Sequence, residues 1–369
     1  MFRLCVPVLF GLEGIVADEL RRLEFADVSA ENGRVLFSGG LDEAVRANLW
    51  LRCGERVGIL IGEFPARTFE ELYQGVSACP LESVIDPHGA FPVKGHSVRS
   101  QLASIPDCQR IINKAAADRL MKSHAVTSLP EDGAKYQLSF NILNDICSLT
   151  IDTTGAPLYK RGYRTEATAA PIRETLAAAM VYLSKRRGDR PLCDPMCGSG
   201  TILIEAALLA SNTAPGLARR FAVESFAGFD RQTTLRLRRE AKEQIGPFEG
   251  EIFGSDIDPE AIRIAKENAA RAGFAERIRL TRCDLANADM PQSGIVITNP
   301  PYGERLGEVD QARELYKLLG KRIQTGSYII SPDEQFEKHF GRRADKKRKL
   351  YNGMIKCDLY MYYKGGLSK

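Results

Sequence analysis

The stretch DPMCGSGT, residues 194–201, is the part of the sequence from which the fold can be inferred. It follows a short apolar run at 191–194 and opens a longer apolar run at 201–211, which predicts a strand, a tight turn and a helix. Glycines in such a turn let the backbone approach a ligand, and the first N–H groups of the helix favour an anionic group. The turn lacks the lysine of a P-loop and the third glycine of the dinucleotide fingerprint, which disfavours ATP and NAD.

Strand and helix patterns alternate after this turn. Predicted strands lie at 251–256, 278–282, 293–299 and 326–331, predicted helices at 259–272 and 311–319, and a final strand at 354–363. A helix is also predicted before the turn, over 171–183. This alternation predicts a doubly wound α/β domain with a mostly parallel sheet, whose ligand lies at the carboxyl ends of the strands.

Two acids at the end of the predicted strand 251–256 compete for a ligand role. A carboxylate at that position can accept hydrogen bonds from both hydroxyls of a ribose. Asp258 precedes Pro259 and a predicted helix, so helix capping explains it. Asp256 has no such structural role, so we assign it the ribose. Asp284 follows the next strand, where it would accept from an adenine amino group or remain a solvated loop acid.

The segment NPPY, residues 299–302, follows an apolar strand. Its two prolines fix φ and remove two donors, which predicts a rigid turn with free carbonyl groups. The side-chain oxygen of Asn299 and the carbonyl of Pro300 can then accept from one amino group, and Tyr302 can stack on a flat ring. The alternative is a proline-rich turn after a buried strand.

The first half of the chain predicts α+β structure. Residues 1–64 show a strand–helix–strand–helix–strand order, with a turn at Asn32-Gly33. Residues 65–157 contain predicted helices at 68–78 and 107–123, a strand at 91–97, and a hairpin formed by 136–143 and 146–151. We therefore predict three domains, at 1–64, 65–157 and 158–369.

Composition excludes several classes of protein. The chain has 369 residues, 44% of them hydrophobic, and its longest apolar runs are too short to span a membrane. The nine scattered cysteines and four histidines do not show the spacing of metal ligands, so neither a metal site nor a disulfide framework is expected. Scattered free thiols suit a reducing compartment, so we expect a cytoplasmic location. The net charge is +4, and the basic surplus lies after residue 165, notably in RRADKKRK at 342–349.

The four motifs together resemble those of Rossmann-fold methyltransferases. The segments LYKRGYR (158–164) and NPPYGERLG (299–307), with GLEGIVADELRRLEF near the start, are similar to the THUMP-domain family of ribosomal RNA guanine-N2 methyltransferases. That resemblance implies a ferredoxin-like domain, a THUMP domain that binds RNA, and a catalytic domain that uses S-adenosylmethionine. It implies cofactor contacts from Asp194, Met196, Gly198, Gly200, Thr201, Asp256, Ile257, Asp284 and Asn299, and target-base contacts from Asn299, Pro300 and Tyr302.

The expected function is methylation of an exocyclic guanine N2 in large-subunit ribosomal RNA. Adenine-N6 methylation of DNA or RNA remains open, because its active site would look the same, and an RNA-binding assembly factor is a third option. The expected partner is ribosomal RNA, without a membrane, a metal or an obligate protein partner. Expected RNA contacts are Lys94, Arg99, Lys114, Lys160, Arg161, Arg164, Arg342, Arg343, Lys346 and Lys347.

Overall fold

The computed structural model describes residues 1–166, 171–185, 188–303 and 308–363. The strands are β1 (Phe2–Pro7), β2 (Ala26–Glu31), β3 (Arg34–Gly39), β4 (Gly58–Pro65), β5 (Val93–Val98), β6 (Leu138–Leu143), β7 (Ile146–Asp152), β8 (Leu192–Asp194), β9 (Ile252–Asp256), β10 (Ile278–Arg282), β11 (Ile295–Thr298), β12 (Gly326–Ser331), β13 (Lys346–Asn352) and β14 (Ile355–Tyr362). The helices are α1 (Glu13–Arg22), α2 (Leu41–Trp50), α3 (Phe69–Ala78), α4 (Ile105–His124), α5 (Glu174–Leu183), α6 (Thr201–Ala210), α7 (Arg231–Glu243), α8 (Pro259–Arg271), α9 (Glu308–Arg322) and α10 (Phe336–Phe340), with 3-10 turns at Leu81–Ser83 and Ala222–Ser225.

The chain divides into two compact units. The first contains residues Met1–Val8, Ala17–Leu158 and Arg219–Arg239, and the second contains the remainder. The first unit therefore takes up a segment, 219–239, that lies within the sequence range predicted for the third domain. The three predicted domain ranges stay a prediction.

The first unit contains one seven-stranded sheet in the order β2-β3-β1-β4-β7-β6-β5. The pairing of β4 with β7 joins strands from the first two predicted domains into this sheet. The predicted turn at Asn32-Gly33 connects β2 to β3, and Gly33 has φ +75°. The strand β2 was not predicted, because the segment ADVSAE shows no apolar alternation and lies at an exposed sheet edge.

The second unit contains the predicted doubly wound sheet, in the order β10-β9-β8-β11-β12-β14-β13. The pairs from β10 to β12 are parallel, and β14 is antiparallel to both of its neighbours. The mostly parallel sheet confirms the predicted fold class. The strand β13, however, was not predicted from the basic run that contains it. It forms because its backbone pairs with β14 along its whole length.

The core of the second unit holds the strand ends in place. A buried cluster that includes Val296, Tyr316, Ile329, Phe336 and Tyr360 packs on the β11, β12 and β14 part of the sheet. Removing each such side chain from water stabilises the fold by about 1.5–3 kcal/mol. The helix α6 is buried over its first eight residues, so the turn that precedes it rests on a fixed support. None of the helices within the described ranges combines the length and the apolar character needed to cross a bilayer.

Candidate active site

The carboxyl ends of β8, β9, β10 and β11 meet around a cavity of about 640 Å³ in the second unit. In the sheet, β8 lies between β9 and β11, so the winding direction reverses there, and ligands of open α/β sheets bind at such a point. All four sequence motifs contribute to the wall, through Asp194, Met196, Gly198, Thr201, Asp256, Ile257, Asp284, Asn299, Pro300 and Tyr302. The structure thus brings nearly all the predicted cofactor and catalytic residues together.

Two glycines shape the turn after β8, and they have different roles. Gly198 (φ +50°) lines the cavity, where its backbone can approach a ligand. Gly200 (φ +79°) does not line it. A Cβ on Gly200 would lie 3.2 Å from the Cβ of Ala265 in α8. This glycine lets the start of α6 pack against α8, and its contact with the cofactor stays a prediction.

The carboxylate of Asp256 joins two loops at the cavity. Its Oδ2 accepts from the amide of Gly198 at 2.9 Å, and its Oδ1 accepts from the amide of Asp258 at 3.0 Å. Asp258 itself accepts from the amide of Glu260 at 2.9 Å, as the N-cap of α8, which confirms its predicted capping role. The ribose contact of Asp256 stays a prediction. Asp256 is thus held at the cavity wall and Asp258 is not.

We expect Asp256→Ala to weaken S-adenosylmethionine binding about ten- to a hundredfold, because hydrogen bonds to a charged group contribute about 1.5–3 kcal/mol. Isothermal titration calorimetry measures this directly. The matched control is Asp258→Ala, two residues away at the exposed start of the helix. The affinity of this variant for S-adenosylmethionine should stay within about twofold of the wild type. Equal losses in both variants would contradict the assignment of Asp256.

Asp194 at the end of β8 is 1% exposed and accepts from the amide of Met196 at 3.2 Å. Burial raises the pKa of Asp194 to about 7, and the nearby carboxylate of Asp256 adds to the rise. A cationic ligand favours the ionised carboxylate, since opposite charges attract. The cavity therefore contains an acid that ionises near neutral pH.

We expect S-adenosylmethionine to bind more tightly as the pH rises through about 7, because Asp194 loses its proton there and then attracts the positively charged ligand. Below that pH the ligand must displace the proton of Asp194. Calorimetry in two buffers of different ionisation enthalpy measures the protons released. The Asp194→Asn variant should show a flatter pH dependence, and proton release unchanged in that variant would contradict this assignment.

The turn after β11 contributes two residues with oxygen acceptors to the cavity wall. Asn299 and Pro300 both line it, and the Pro300 carbonyl makes no hydrogen bond within the described chain. The carbonyl of Pro301 accepts from the hydroxyl of Tyr316 at 3.1 Å, which anchors the turn on α9. Asn299 and Pro300 line the same cavity as Gly198 and Asp256, and their role as acceptors for an amine stays a prediction.

Tyr302 lines the cavity, and its hydroxyl is already engaged. It donates to Oδ1 of Asn299 at 2.6 Å and accepts from Nδ2 of Asn352 at 3.2 Å. Burial raises the pKa of Tyr302 well above its ordinary value, so the hydroxyl remains a donor. A side-chain amide oxygen has two lone pairs, so Asn299 can accept a second hydrogen bond from a substrate amine. Stacking of Tyr302 on a base remains a prediction.

Asn352 was not predicted as a site residue. It lies at the end of β13 and reaches Tyr302 from there. The signal was present: Asn352 is followed by Gly353, the same dipeptide that marked the turn at 32–33, and Gly353 has φ +64°. That dipeptide indicates a hairpin. The contact between Asn352 and Tyr302 was not predictable, because the two residues are 50 positions apart in the sequence.

Two further cofactor contacts were predicted, Ile257 and Asp284, with Asp284 assigned to the adenine. Ile257 is 62% exposed and lines the cavity, so it can cover the face of a flat ligand. Asp284 accepts from the amide of Ala286 at 2.8 Å, as a loop acid does, while its second carboxylate oxygen makes no hydrogen bond within the described chain. Both positions fit an adenosine group in the cavity.

Two of the predicted RNA contacts are instead internal. Arg161 is 3% exposed, and its Nε lies 3.3 Å from Oε1 of Glu205, which is also buried. Arg164 is 13% exposed and donates to Glu174 at 2.8 Å and to the carbonyl of Ile172 at 2.9 Å. Arg161 cannot reach RNA from this position, so its prediction is wrong. Arg164 supports the cavity wall, because Ile172 lines the cavity.

The other predicted RNA contacts divide by exposure. The side chains of Lys94, Arg99, Lys114, Lys160, Arg343 and Lys346 are exposed, and their contact with RNA stays a prediction. Arg342 is half-buried, with its guanidinium 5.0 Å from the ring centre of Phe340 and 5.1 Å from that of Tyr362. Lys347 pairs with Glu337 at 2.9 Å. These contacts of Arg342 and Lys347 stabilise the domain, and the contact of both side chains with RNA stays a prediction.

Family models match the chain from near its start to near its end. An RlmL ferredoxin-like domain matches residues 3–58, a THUMP domain 66–152, and an RMKL-like methyltransferase domain (UPF0020) 161–361. The "Putative RNA methyltransferase YpsC" of Bacillus subtilis (strain 168) is 41% identical over 370 residues, which cover 98% of this chain and 96% of that protein.

The chain spans about half the length of a second relative. "Ribosomal RNA large subunit methyltransferase K/L" of Syntrophotalea carbinolica is 37% identical over 95% of this chain and 52% of its own length. Among solved structures, SMU.472, described as a putative methyltransferase complexed with SAH, superposes with a TM-score of 0.93 and 42% identity over 100% of this chain and 99% of its own. SAH, S-adenosylhomocysteine, is what remains of S-adenosylmethionine once the methyl group has left. The chain therefore belongs to the family of RlmL-like, THUMP-containing methyltransferases, whose methyl donor is S-adenosylmethionine.

Proposed function

We propose that this protein methylates the exocyclic N2 of a guanine in large-subunit ribosomal RNA. One observation carries the chemistry: Asn299 and Pro300 line the same cavity as Gly198 and Asp256. A target amine held by the first pair therefore lies next to a donor held by the second pair.

An exocyclic amine is a weak nucleophile, because its lone pair is delocalised into the base. Asn299 and Pro300 counter this by accepting the two N–H hydrogens, which fixes the amine and favours a lone pair directed out of the ring plane. S-Adenosylmethionine supplies an activated methyl group whose leaving sulfur needs no protonation. As the N–C bond forms, the S–C bond breaks, and one amine proton then passes to solvent.

The residues around the acceptors supply position rather than acid–base chemistry. None of the four histidines lines the cavity within the described chain. The hydroxyl of Tyr302 orients the amide of Asn299, and Tyr316 anchors the turn through Pro301. Fixing two reacting groups in line supplies a large part of the rate enhancement, so no strong base is required.

Three findings support RNA as the substrate. A THUMP model matches residues 66–152, two relatives carry names that specify RNA or ribosomal RNA, and the excess of basic side chains lies in the half with the catalytic residues. Guanine N2 is favoured over adenine N6 by the match to RlmL-like domains, since an acceptor pair of this kind suits either amine.

The test is methyl transfer from tritium-labelled S-adenosylmethionine to protein-free 23S rRNA, with 16S rRNA and double-stranded DNA as the comparison substrates. Nucleoside mass spectrometry of the labelled product identifies the base. We expect N2-methylguanosine from 23S rRNA only. Label recovered as N6-methyladenine, or in DNA, would overturn the proposal in favour of adenine methylation. Cofactor binding without transfer to any nucleic acid would favour an RNA-binding factor.

A further inference from the structure

A second cavity, of about 430 Å³, lies in the same unit at the opposite end of the sheet. We name it the basic recess. Its wall contains Lys185 after α5, Tyr328 in β12, Lys346 and Arg348 in β13, Met361 in β14, and Tyr363. Tyr328 is near the amino end of its strand, whereas the candidate active site is at the carboxyl ends. The recess is therefore separate from the active-site cavity.

The pairing of three strands builds the floor of the recess. Tyr328 pairs with Met361, and Met361 pairs with Lys346, so these three side chains form one row across β12, β14 and β13. Arg348 lies two residues after Lys346 and therefore on the same face. Paired strands hold such a row rigidly, so the two basic groups keep a fixed spacing beside the tyrosine.

The basic run at 346–349 is divided between the two faces of the sheet. Lys347 points away from the recess, to Glu337 at 2.9 Å and to the ring of Tyr360 at 5.7 Å. Lys346 and Arg348 point into the recess, and with Lys185 they form no ion pair within the described ranges. A concave wall with three cations and no paired acid concentrates positive potential, which attracts an anion. Asp345, the residue before Lys346, accepts from the amide of Tyr363 at 2.7 Å.

The aromatic groups in the recess add a second kind of contact. The ring of Tyr363 is 54% exposed, and its centre lies 6.5 Å from that of the buried Tyr328. An exposed aromatic ring costs free energy in water, and in nucleic-acid-binding proteins such rings stack on bases. Cations alone would suit any anion. Cations beside an open aromatic ring suit a phosphate that carries a base.

We propose that the basic recess holds one nucleotide of the RNA substrate, with its phosphate on Lys346, Arg348 and Lys185 and its base stacked on Tyr363. This inference rests on the proposed function, because it takes RNA as the substrate. The volume is within the range of small-ligand sites. The recess and the active site contact the RNA at opposite ends of the sheet, so the recess fixes the register in which a distant base reaches Asn299.

The test compares RNA affinity at several salt concentrations, using full-length protein and 23S rRNA in a filter-binding assay. We expect the charge reversal K346E/R348E to weaken binding at least tenfold and to lower the slope of log affinity against log salt by about 2, since each phosphate contact contributes about 1. Tyr363→Ala should weaken binding about five- to tenfold with the slope unchanged, because stacking releases no counterions.

The matched control is K321E/K338E, which reverses two exposed charges on α9 and α10, outside the recess. It should leave affinity within about threefold. Calorimetric binding of S-adenosylmethionine, unchanged in every variant, shows that the domain is folded. Recess variants that bind like the control overturn the proposal, and an unchanged Tyr363→Ala overturns the stacked base. If the wild type neither binds nor methylates RNA, the proposed function fails instead.

Discussion

Replacing Asn299 with alanine lowers the rate of methyl transfer by about a hundred- to a thousandfold and leaves the affinity for S-adenosylmethionine within about twofold. Removing one preorganised group that stabilises charge in a transition state has an effect of this size. The cofactor loops are expected to keep their geometry, because Asp256 bonds to Gly198 and to Asp258 independently of Asn299. Single-turnover kinetics with labelled donor measure the rate, and calorimetry measures the affinity.

Two variants at the same turn separate chemistry from structure. Asn299→Asp keeps an acceptor oxygen and should retain more activity than Asn299→Ala. Tyr302→Phe removes only the hydroxyl that donates to Asn299, so it should lower the rate about tenfold or less. Near wild-type transfer by Asn299→Ala would show that this side chain does not hold the target amine.

Replacing Glu205 with alanine lowers the free energy of unfolding by about 3–5 kcal/mol. The carboxylate of Glu205 is fully buried, pairs with Arg161 at 3.3 Å and accepts from the hydroxyl of Tyr163 at 3.0 Å. Its removal leaves the buried guanidinium of Arg161 without this carboxylate, and breaking a buried ion pair from one side has a cost of this order. Urea denaturation followed by circular dichroism measures the change.

The double variant Arg161→Met/Glu205→Leu is the informative control for this pair. It removes both charges and keeps similar volume, so its stability should exceed that of Glu205→Ala by about 2 kcal/mol or more. Glu205→Gln keeps the shape of the side chain and should be intermediate. A Glu205→Ala variant within about 1 kcal/mol of the wild type would contradict the view that the pair stabilises the start of the catalytic domain.

Local chemistry in the sequence was enough to locate the candidate active site. The glycine turn, Asp256 and the proline turn each follow a buried strand, and parallel strands bring their carboxyl ends to one edge. Asp258 could be separated from Asp256 because helix capping depends on neighbouring residues alone. The Asn32-Gly33 turn was predictable for the same reason.

Sequence patterns failed where a distant partner decides the structure. The segments β2 and β13 carry polar or charged residues, and they form strands because β3 and β14 offer their backbone groups. The helix α7 was missed because more than half of RQTTLRLRREAKE is charged, which hides its apolar face.

The sequence by itself determined which backbone turns and side-chain groups this protein presents at the ends of its strands, because those depend on residues a few positions apart. Only the tertiary structure decided which charges face the solvent. Arg161 is buried because Glu205, 44 residues later, meets it inside the domain. The neighbouring side chains Lys346 and Lys347 point to opposite faces because the strand that contains them is paired. The burial of a side chain and the face of the sheet to which it points depend on contacts between segments remote in sequence, and these contacts cannot be inferred from composition.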